Sequence, residues 1–249
     1  MRFKIDYYEQ SSPLKIVVYG IGGVGKSTFA STAPKPIFMN LEDNIRCINV
    51  AKVKLTSYQE VEDFLTDLYN ASNNEYRTLV IDSVDVLASL LYKHIAKKYN
   101  INDFTAGFGK GYAFVNRAFE EFIATINLIS NAKKMNVIMI CQEAQKSEGD
   151  IEIGDHIKKN LALEPRFLKP VTFWANIVLG LATKHTVHKE KIVGQGERVM
   201  YKVDTGTRYA KNSYGLPPEL PIDWGVFSEH IKSKIIQTKT NEDTNTEVA

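Results

Sequence analysis

This sequence has few cysteines, little net charge and no long apolar run. Its 249 residues include two cysteines, Cys47 and Cys141, which stand far apart and lack the close spacing of a metal site. We therefore expect reduced thiols in an intracellular protein. Lys and Arg total 31 against 29 Asp and Glu, for a net charge of +2. That near balance excludes a polycation that coats nucleic acid without specificity.

Apolar residues are present in quantity but not in long runs. The longest apolar stretch, residues 173–182, is ten residues long and contains Asn176, whereas a membrane-spanning helix needs about 20 apolar residues. The mixed, charged first residues predict no secretory signal. We therefore expect a cytoplasmic protein with no membrane partner. Hydrophobic residues make up 44% of the chain, which is enough apolar surface to exclude disorder as the dominant state.

The order of the predicted elements indicates an α/β fold. Apolar strands are predicted at 14–19, 36–40, 78–81 and 137–141, and amphipathic helices near 26–33, 57–68, 84–99 and 112–132. This alternation is typical of a mostly parallel sheet flanked by helices. Strands predicted at 174–181, 186–193, 197–203 and 208–210, with a turn at 194–196, would extend one edge of the sheet in antiparallel fashion. The predicted organisation is an N-terminal arm (1–13), one folded domain (14–220), a C-terminal helix (221–238) and a disordered polar tail (239–249).

A glycine-rich turn joins the first predicted strand to the first predicted helix. Residues 20–27 read GIGGVGKS and match the phosphate-binding pattern G-x-x-x-x-G-K-[S/T]. The glycines let successive backbone N–H groups surround a phosphate at a helix start. We expect Lys26 to reach the β- and γ-phosphates and the Ser27 hydroxyl to bind Mg²⁺. The residues expected to bind ATP are Gly20, Gly22, Gly23, Val24, Gly25, Lys26, Ser27 and Thr28.

Three further polar side chains follow apolar strands. Asp82 closes the strand at 78–81 and is expected to hold the metal with Ser27; capping the next helix is its alternative role. Glu42 follows the second strand at the edge where ligands bind and is expected to polarise the attacking water. Asp43 competes for that role, and a solvated acidic turn is the alternative. Gln142 ends the strand at 137–141, where its amide would hydrogen-bond the γ-phosphate or the water.

Taken in order, these motifs resemble the RecA family of recombination ATPases from about Leu14 to Pro217. The resemblance implies a RecA-like fold in which Glu42 is the catalytic glutamate and Gln142 senses the phosphate. The late segment from Tyr209 to Asn212, which reads YAKN, is similar to the family segment whose lysine reaches the nucleotide of a neighbouring subunit. The implied catalytic set is therefore Lys26, Glu42, Gln142 and Lys211.

Within that family, the chain is most similar to compact phage-encoded ATPases of recombination and single-strand annealing. Pro34 and Pro36 before Glu42, and the late segment 210–217, carry this closer resemblance; Gln142-Glu143 stands where many of those relatives have His-Glu. The resemblance implies a slow, DNA-stimulated ATPase that binds single-stranded DNA as a ring or filament of identical subunits. A single-strand-binding protein is a further expected partner, and host cytoplasm the location if a phage encodes the chain.

The resemblance also implies two DNA-binding loops. One contains Phe108, Lys110 and Tyr112, where aromatic rings would stack on bases and the lysine would meet a phosphate. The other runs from Gln142 to about Lys169 and carries slightly more acidic than basic residues. Its contact with DNA would have to come from Lys158 and Lys159. A mobile lid over the nucleotide is the alternative for both loops.

Other functions compatible with the glycine-rich turn differ in what they need nearby. A small-molecule kinase usually carries an arginine-rich lid, whereas the late arginines here are dispersed (Arg117, Arg166, Arg198 and Arg208). A partitioning-type switch ATPase needs a lysine where this sequence has Ile21. The kinase, together with hexameric helicases and clock-type ATPases of the RecA fold, stays open as an alternative.

Overall fold

A large mixed sheet with helices on both faces forms the body of the protein. The computed structural model describes residues 12–42, 45, 47–150, 154–188 and 191–234. The strands are β1 (Lys15–Gly20), β2 (Pro36–Asn40), β3 (Ala51–Lys54), β4 (Thr78–Asp82), β5 (Asn136–Asp150), β6 (Gly154–Leu161), β7 (Ile177–His188), β8 (Lys191–Tyr201), β9 (Lys211–Asn212) and β10 (Glu219–Pro221). The helices are α1 (Lys26–Ser31), α2 (Tyr58–Asn70), α3 (Val84–Tyr99), α4 (Ala106–Lys133), α5 (Pro165–Trp174) and α6 (224–234).

The strand order places the glycine-rich turn near the middle of the sheet. The order is β10-β8-β7-β1-β5-β4-β2-β3, with β6 added to β5 and β9 to β7. All neighbours from β7 to β3 in this order run parallel, whereas β8 and β10 extend the other edge in antiparallel fashion. The predicted α/β class with a mostly parallel sheet is confirmed. Because the parallel strands end at one edge, Gly20 stands opposite Gln142 and Asn40 opposite Asp82.

Each face of the sheet carries its own apolar core. Val17 and Tyr19 face the core under α2 to α5, whereas Ile16 and Val18 face the core under α1 and α6, as strand alternation requires. On the second face, the Phe29 ring of α1 lies 5.4 Å from Trp224 and 5.7 Å from Phe227 of α6, measured between ring centroids. The C-terminal helix is thus packed directly against the helix that follows the glycine-rich turn.

Two predicted loops are wrong in ways that matter for the site. The segment after Gln142 is not a loop, because β5 continues to Asp150 and pairs with β6 as an antiparallel hairpin, after which α5 begins at Pro165. The predicted turn at 194–196 lies inside β8, whose pairing with β7 extends to His188 and Lys191. Residues 143–150 are mostly polar, so their hydrophobic pattern does not indicate a strand.

Smaller differences concern element ends. Trp174 ends α5 and does not begin a strand. The short edge strand β3 was not predicted, because its sequence alternates polar and apolar residues over only four positions. The C-terminal helix begins at 224 and not at 221. The predicted arm up to residue 11, the end of the C-terminal helix after 234 and the predicted tail lie outside the described residues. Among the residues that are described, no helix combines the length and apolarity needed to cross a bilayer.

Candidate nucleotide site

The glycine-rich turn runs from the end of β1 to the start of α1. Gly23 and Gly25 have φ angles of 76° and 113°, a region that side chains with a Cβ rarely adopt. A Cβ built on Gly22 or Gly23 would meet nothing within 4 Å, whereas one on Gly20 would lie 2.6 Å from the Leu181 carbonyl oxygen. The turn is therefore closely packed at its base and open at its tip, which suits a cradle for an anion.

Lys26 brings the glycine-rich turn and β5 together. Its ammonium Nζ donates to the Gly20 carbonyl at 2.8 Å, the Ile21 carbonyl at 3.0 Å and the Gln142 amide oxygen at 3.1 Å. The side chain is buried; burial lowers its pKa, while the nearby Asp82 carboxylate opposes that shift. The structure thus joins Lys26 and Gln142, two residues that the sequence places 116 positions apart.

Ser27 and Asp82 form the second pair of the site. The Ser27 hydroxyl donates to Asp82 Oδ2 at 2.7 Å. Asp82 is 2% exposed, and burial raises the pKa of its carboxyl to about 6 although the Ser27 hydrogen bond acts in the opposite direction. Mg²⁺ on a nucleotide takes one or two protein oxygens and completes its shell with phosphates and water. These two oxygens fit that role, and the described residues contain no larger cluster of metal-ligating side chains.

Glu42 lies beside this pair at the end of β2. The Ser83 hydroxyl donates a short hydrogen bond to Glu42 Oε1. The backbone N–H groups of Leu41 and Glu42 donate to the Asp82 carbonyl at 2.8 and 3.3 Å. The ends of β2 and β4 are therefore tied together, and the Glu42 carboxylate is held next to the proposed metal residue. Its predicted competitor, Asp43, lies outside the described residues.

Asp85 is a site residue that sequence reasoning missed. It lies in the first turn of α3, and its Oδ2 accepts a hydrogen bond from the Gln142 backbone N–H at 3.0 Å. Burial raises the pKa of its carboxyl. The only sequence signal is an acidic residue beside the apolar stripe of α3, three positions after Asp82. Asp85 fixes the backbone of Gln142 where the parallel part of β5 ends.

A cavity of about 220 Å³ lies over the glycine-rich turn. Its lining contains residues from five separate parts of the chain: Gly22, Gly23, Gly25, Lys26, Ser27, Thr28, Ile48, Asp82, Gln142 and Arg198. Ile48 and Arg198 were not predicted as site residues. Cations, backbone N–H groups and a hydroxyl–carboxylate pair around one cavity are the donor set that a nucleoside triphosphate with Mg²⁺ requires.

Lys211 does not line this cavity. It lies on β9, and its Nζ donates to the carbonyls of Thr172 at 3.1 Å and Ala175 at 2.6 Å. These carbonyls are at the end of α5, where a cation is favoured by the helix dipole. Within one chain, then, Lys211 holds a helix end.

The five predicted DNA-binding residues have different surroundings. Phe108 is fully exposed in a segment of positive φ angles that precedes the regular part of α4. Tyr112 is covered by the Arg166 guanidinium, 3.8 Å from its ring centroid. Lys110 stands on the first regular turn of α4. On β6, Lys158 lies 3.4 Å from an Asp204 oxygen and Lys159 lies 4.0 Å from a Glu143 oxygen.

Comparison with known proteins decides the family. The family model of the AAA domain matches residues 12–214. The chain belongs to the AAA domain family. Membership confirms the predicted P-loop ATPase domain, and the match begins before β1 and ends after β9.

This AAA domain is also similar to one curated protein from a bacterium that carries a prophage. The SPbeta prophage-derived uncharacterized protein YorG of Bacillus subtilis strain 168 is 24% identical over 186 residues, which are 72% of this chain and 53% of that protein. The chain therefore spans about half the length of this relative.

Proposed function

We propose that this AAA domain is a RecA-like ATPase of phage origin that binds single-stranded DNA as an oligomer and acts in recombination or single-strand annealing. One observation carries the proposal: Lys26, Gln142 and the Ser27–Asp82 pair meet at one sheet edge, with Glu42 held beside them. The prophage-derived relative and the position of β5 between β1 and β4 support it.

Each residue then has a chemical role. Bound Mg²⁺–ATP would supply the γ-phosphorus that water attacks, with ADP leaving as the bond to the bridging oxygen breaks. Lys26 would donate to phosphate oxygens, and Ser27 and Asp82 would hold the metal. Glu42 accepts a proton from the attacking water, and the Ser83 hydroxyl orients that carboxylate. Gln142 donates its side-chain amide to the γ-phosphate or the water.

The hairpin of β5 and β6 supports a link between phosphate and DNA. Gln142 stands where β5 leaves the parallel sheet, and Lys158 and Lys159 lie on the paired strand β6. A change at Gln142 therefore acts on the strand that carries both lysines. The fully exposed Phe108 ring adds an aromatic surface of the kind on which bases stack.

The test is an ATPase assay with and without single-stranded DNA, with particle size measured by light scattering. We expect slow hydrolysis that rises when an oligothymidylate is added, together with particles larger than one chain. A hydrolysis rate that does not change when DNA is added, or a protein that stays monomeric with DNA and ATP, contradicts the recombination role. Neither outcome contradicts the proposed ATPase activity.

Two variants test the site itself. Lys26→Ala is expected to abolish ATP binding, because it removes the buried cation of the cradle. Glu42→Gln is expected to bind ATP normally and to lower turnover by about 10²-fold or more, since general bases contribute on that scale. Glu120→Gln, an exposed change on α4, is the matched control. Full affinity in Lys26→Ala contradicts the site, and normal turnover in Glu42→Gln assigns the base to another carboxylate.

A further inference from the structure

Arg198 enters the phosphate site from the antiparallel edge of the sheet. It lies on β8 in register with Thr183 of β7, and β7 is the direct neighbour of β1. Side chains two apart on a strand share a face, so Arg198 shares the face of Met200. Met200 belongs to the core that contains Val24 and Phe29. The Arg198 side chain therefore extends from the face of the sheet that carries α1 and the glycine-rich turn.

The guanidinium of Arg198 lies against the turn. Its Nη1 atom is 3.9 Å from the position that a Cβ on Gly25 would occupy, and Ile222 Cγ2 is 4.0 Å from the same point. Arg198 also lines the 220 Å³ cavity together with Lys26, Ser27 and Thr28.

No carboxylate of the described part of the chain pairs with Arg198. The adjacent Glu197 belongs to the opposite face of β8, since neighbouring residues of a strand alternate. Glu219 of β10 is bound to Lys184 at 2.8 Å. An arginine without a counter-ion, placed at a cavity that already holds a buried lysine, favours an anionic ligand there.

We propose that Arg198 binds the α- and β-phosphates of the nucleotide from within the same chain. The proposal rests on the proposed function, because it assigns a further ligand contact to the same site. A guanidinium presents a planar fork of N–H groups that matches two phosphate oxygens. Arg198 is thus a binding residue for ADP as well as for ATP.

The position of Arg198 favours the α- and β-phosphates over the γ-phosphate. Lys26 in this motif reaches the β- and γ-phosphates, while the backbone of the turn cradles the α- and β-phosphates. Arg198 lies beside that backbone at Gly25. Gln142 and Asp82, by contrast, contact the Lys26 and Ser27 side chains. The γ-phosphate end of the site is therefore provided by β4 and β5, and Arg198 is added from β8.

The experiment measures equilibrium binding of Mg²⁺–ADP and of a slowly hydrolysed ATP analogue to the full chain and to three variants. We expect Arg198→Ala to weaken both nucleotides by the same factor, about 10-fold or more, because a charge-assisted hydrogen bond to phosphate is lost. Arg198→Lys should recover part of the loss. Arg117→Ala, which removes an exposed guanidinium paired with Glu121 on α4, should bind like the unaltered chain.

Each outcome separates this proposal from the proposed function. Unchanged binding in Arg198→Ala overturns the assignment, and so does a loss confined to the ATP analogue, which would indicate a γ-phosphate contact. The melting temperature of each variant checks that the fold is intact. If Arg198→Ala has a lowered melting temperature, nucleotide binding by Arg198→Lys is compared with that of the unaltered chain instead. Failure of the unaltered chain to bind either nucleotide would contradict the proposed function itself.

Discussion

At the scale of single residues, the buried Asp82 carboxyl carries a cost in stability. Its carboxyl pKa is raised from 3.8 to about 6, chiefly by burial. The unfolded chain therefore releases this proton at lower pH than the folded chain does. Well below pH 3.8 both forms are protonated and the group costs nothing. As the pH rises from 4 to 6 the folded protein loses stability, and above that the loss is constant.

Asp82→Asn should therefore stabilise the protein in a pH-dependent way. At pH 8, without nucleotide, we expect a gain of up to about 3 kcal/mol, since each pKa unit corresponds to about 1.4 kcal/mol. Near pH 3, below both pKa values, the gain should nearly vanish, because a protonated Asp82 and an Asn are both neutral. Thermal unfolding at both pH values measures this, with exposed Asp67→Asn as control. The same variant should lose Mg²⁺-dependent ATPase activity. A stability gain that is equal at both pH values would contradict the role of burial.

At the scale of elements, a buried ion pair anchors the β5–β6 hairpin. Arg208 donates to Glu143 Oε2 at 2.6 Å, and their side chains are 8% and 3% exposed. Next to this pair, the Tyr19 hydroxyl donates to the Tyr209 carbonyl at 2.6 Å. The base of the hairpin is therefore bonded to the segment before β9, and that segment is bonded in turn to β1.

Glu143→Ala should destabilise the protein by about 3 kcal/mol or more, because it leaves the Arg208 guanidinium buried without a counter-ion. Replacing both residues, as Glu143→Leu with Arg208→Met, should recover most of that loss, since two apolar side chains leave no buried charge. Denaturant unfolding of Glu143→Leu, Arg208→Met and the double variant measures the coupling. Additive losses would show that the pair does not act as a unit.

The same elements show what the sequence could and could not predict. The turn at 20–27, its flanking strand and helix, and Asp82 at the end of β4 follow from local patterns, and the structure places them as predicted. The continuation of β5 past Gln142 was missed because its polar residues are stabilised by pairing with β6. Arg198 was missed because its place in the cavity depends on the order β8-β7-β1 and on the register of β8 against β7. The β7–β1 pairing joins residues far apart in the chain, such as Ile177 and Ile16.

At the scale of the whole molecule, the predicted role of Lys211 requires a second chain. Within its own chain, Lys211 is bound to two carbonyls at the end of α5. If it acts on a neighbour's nucleotide, Lys211→Ala and Glu42→Gln should each be inactive alone. Co-expressed in equal amounts, they should regain about a quarter of the activity, because a head-to-tail interface pairs an intact site with an intact lysine by chance in about one case in four.

ATPase rates of the two variants, alone and co-expressed in several ratios, measure this rescue. Lys169→Ala, which alters a lysine on the neighbouring helix α5, is the control for a general change at that surface. If no ratio restores activity, Lys211 does not act on a neighbour's nucleotide, and its role is to stabilise the end of α5 in its own chain.

The three hydrogen bonds of Lys26 have a consequence for how the site takes up a ligand. An ammonium group has three hydrogens, and the carbonyls of Gly20 and Ile21 and the Gln142 amide accept all of them. A phosphate oxygen can therefore bind Lys26 only by displacing one of these partners. Binding of a phosphate by Lys26 would therefore be an exchange of one hydrogen-bond acceptor for another. If the amide is the partner that leaves, arrival of the phosphate frees the side chain at the base of the β5–β6 hairpin in the same step.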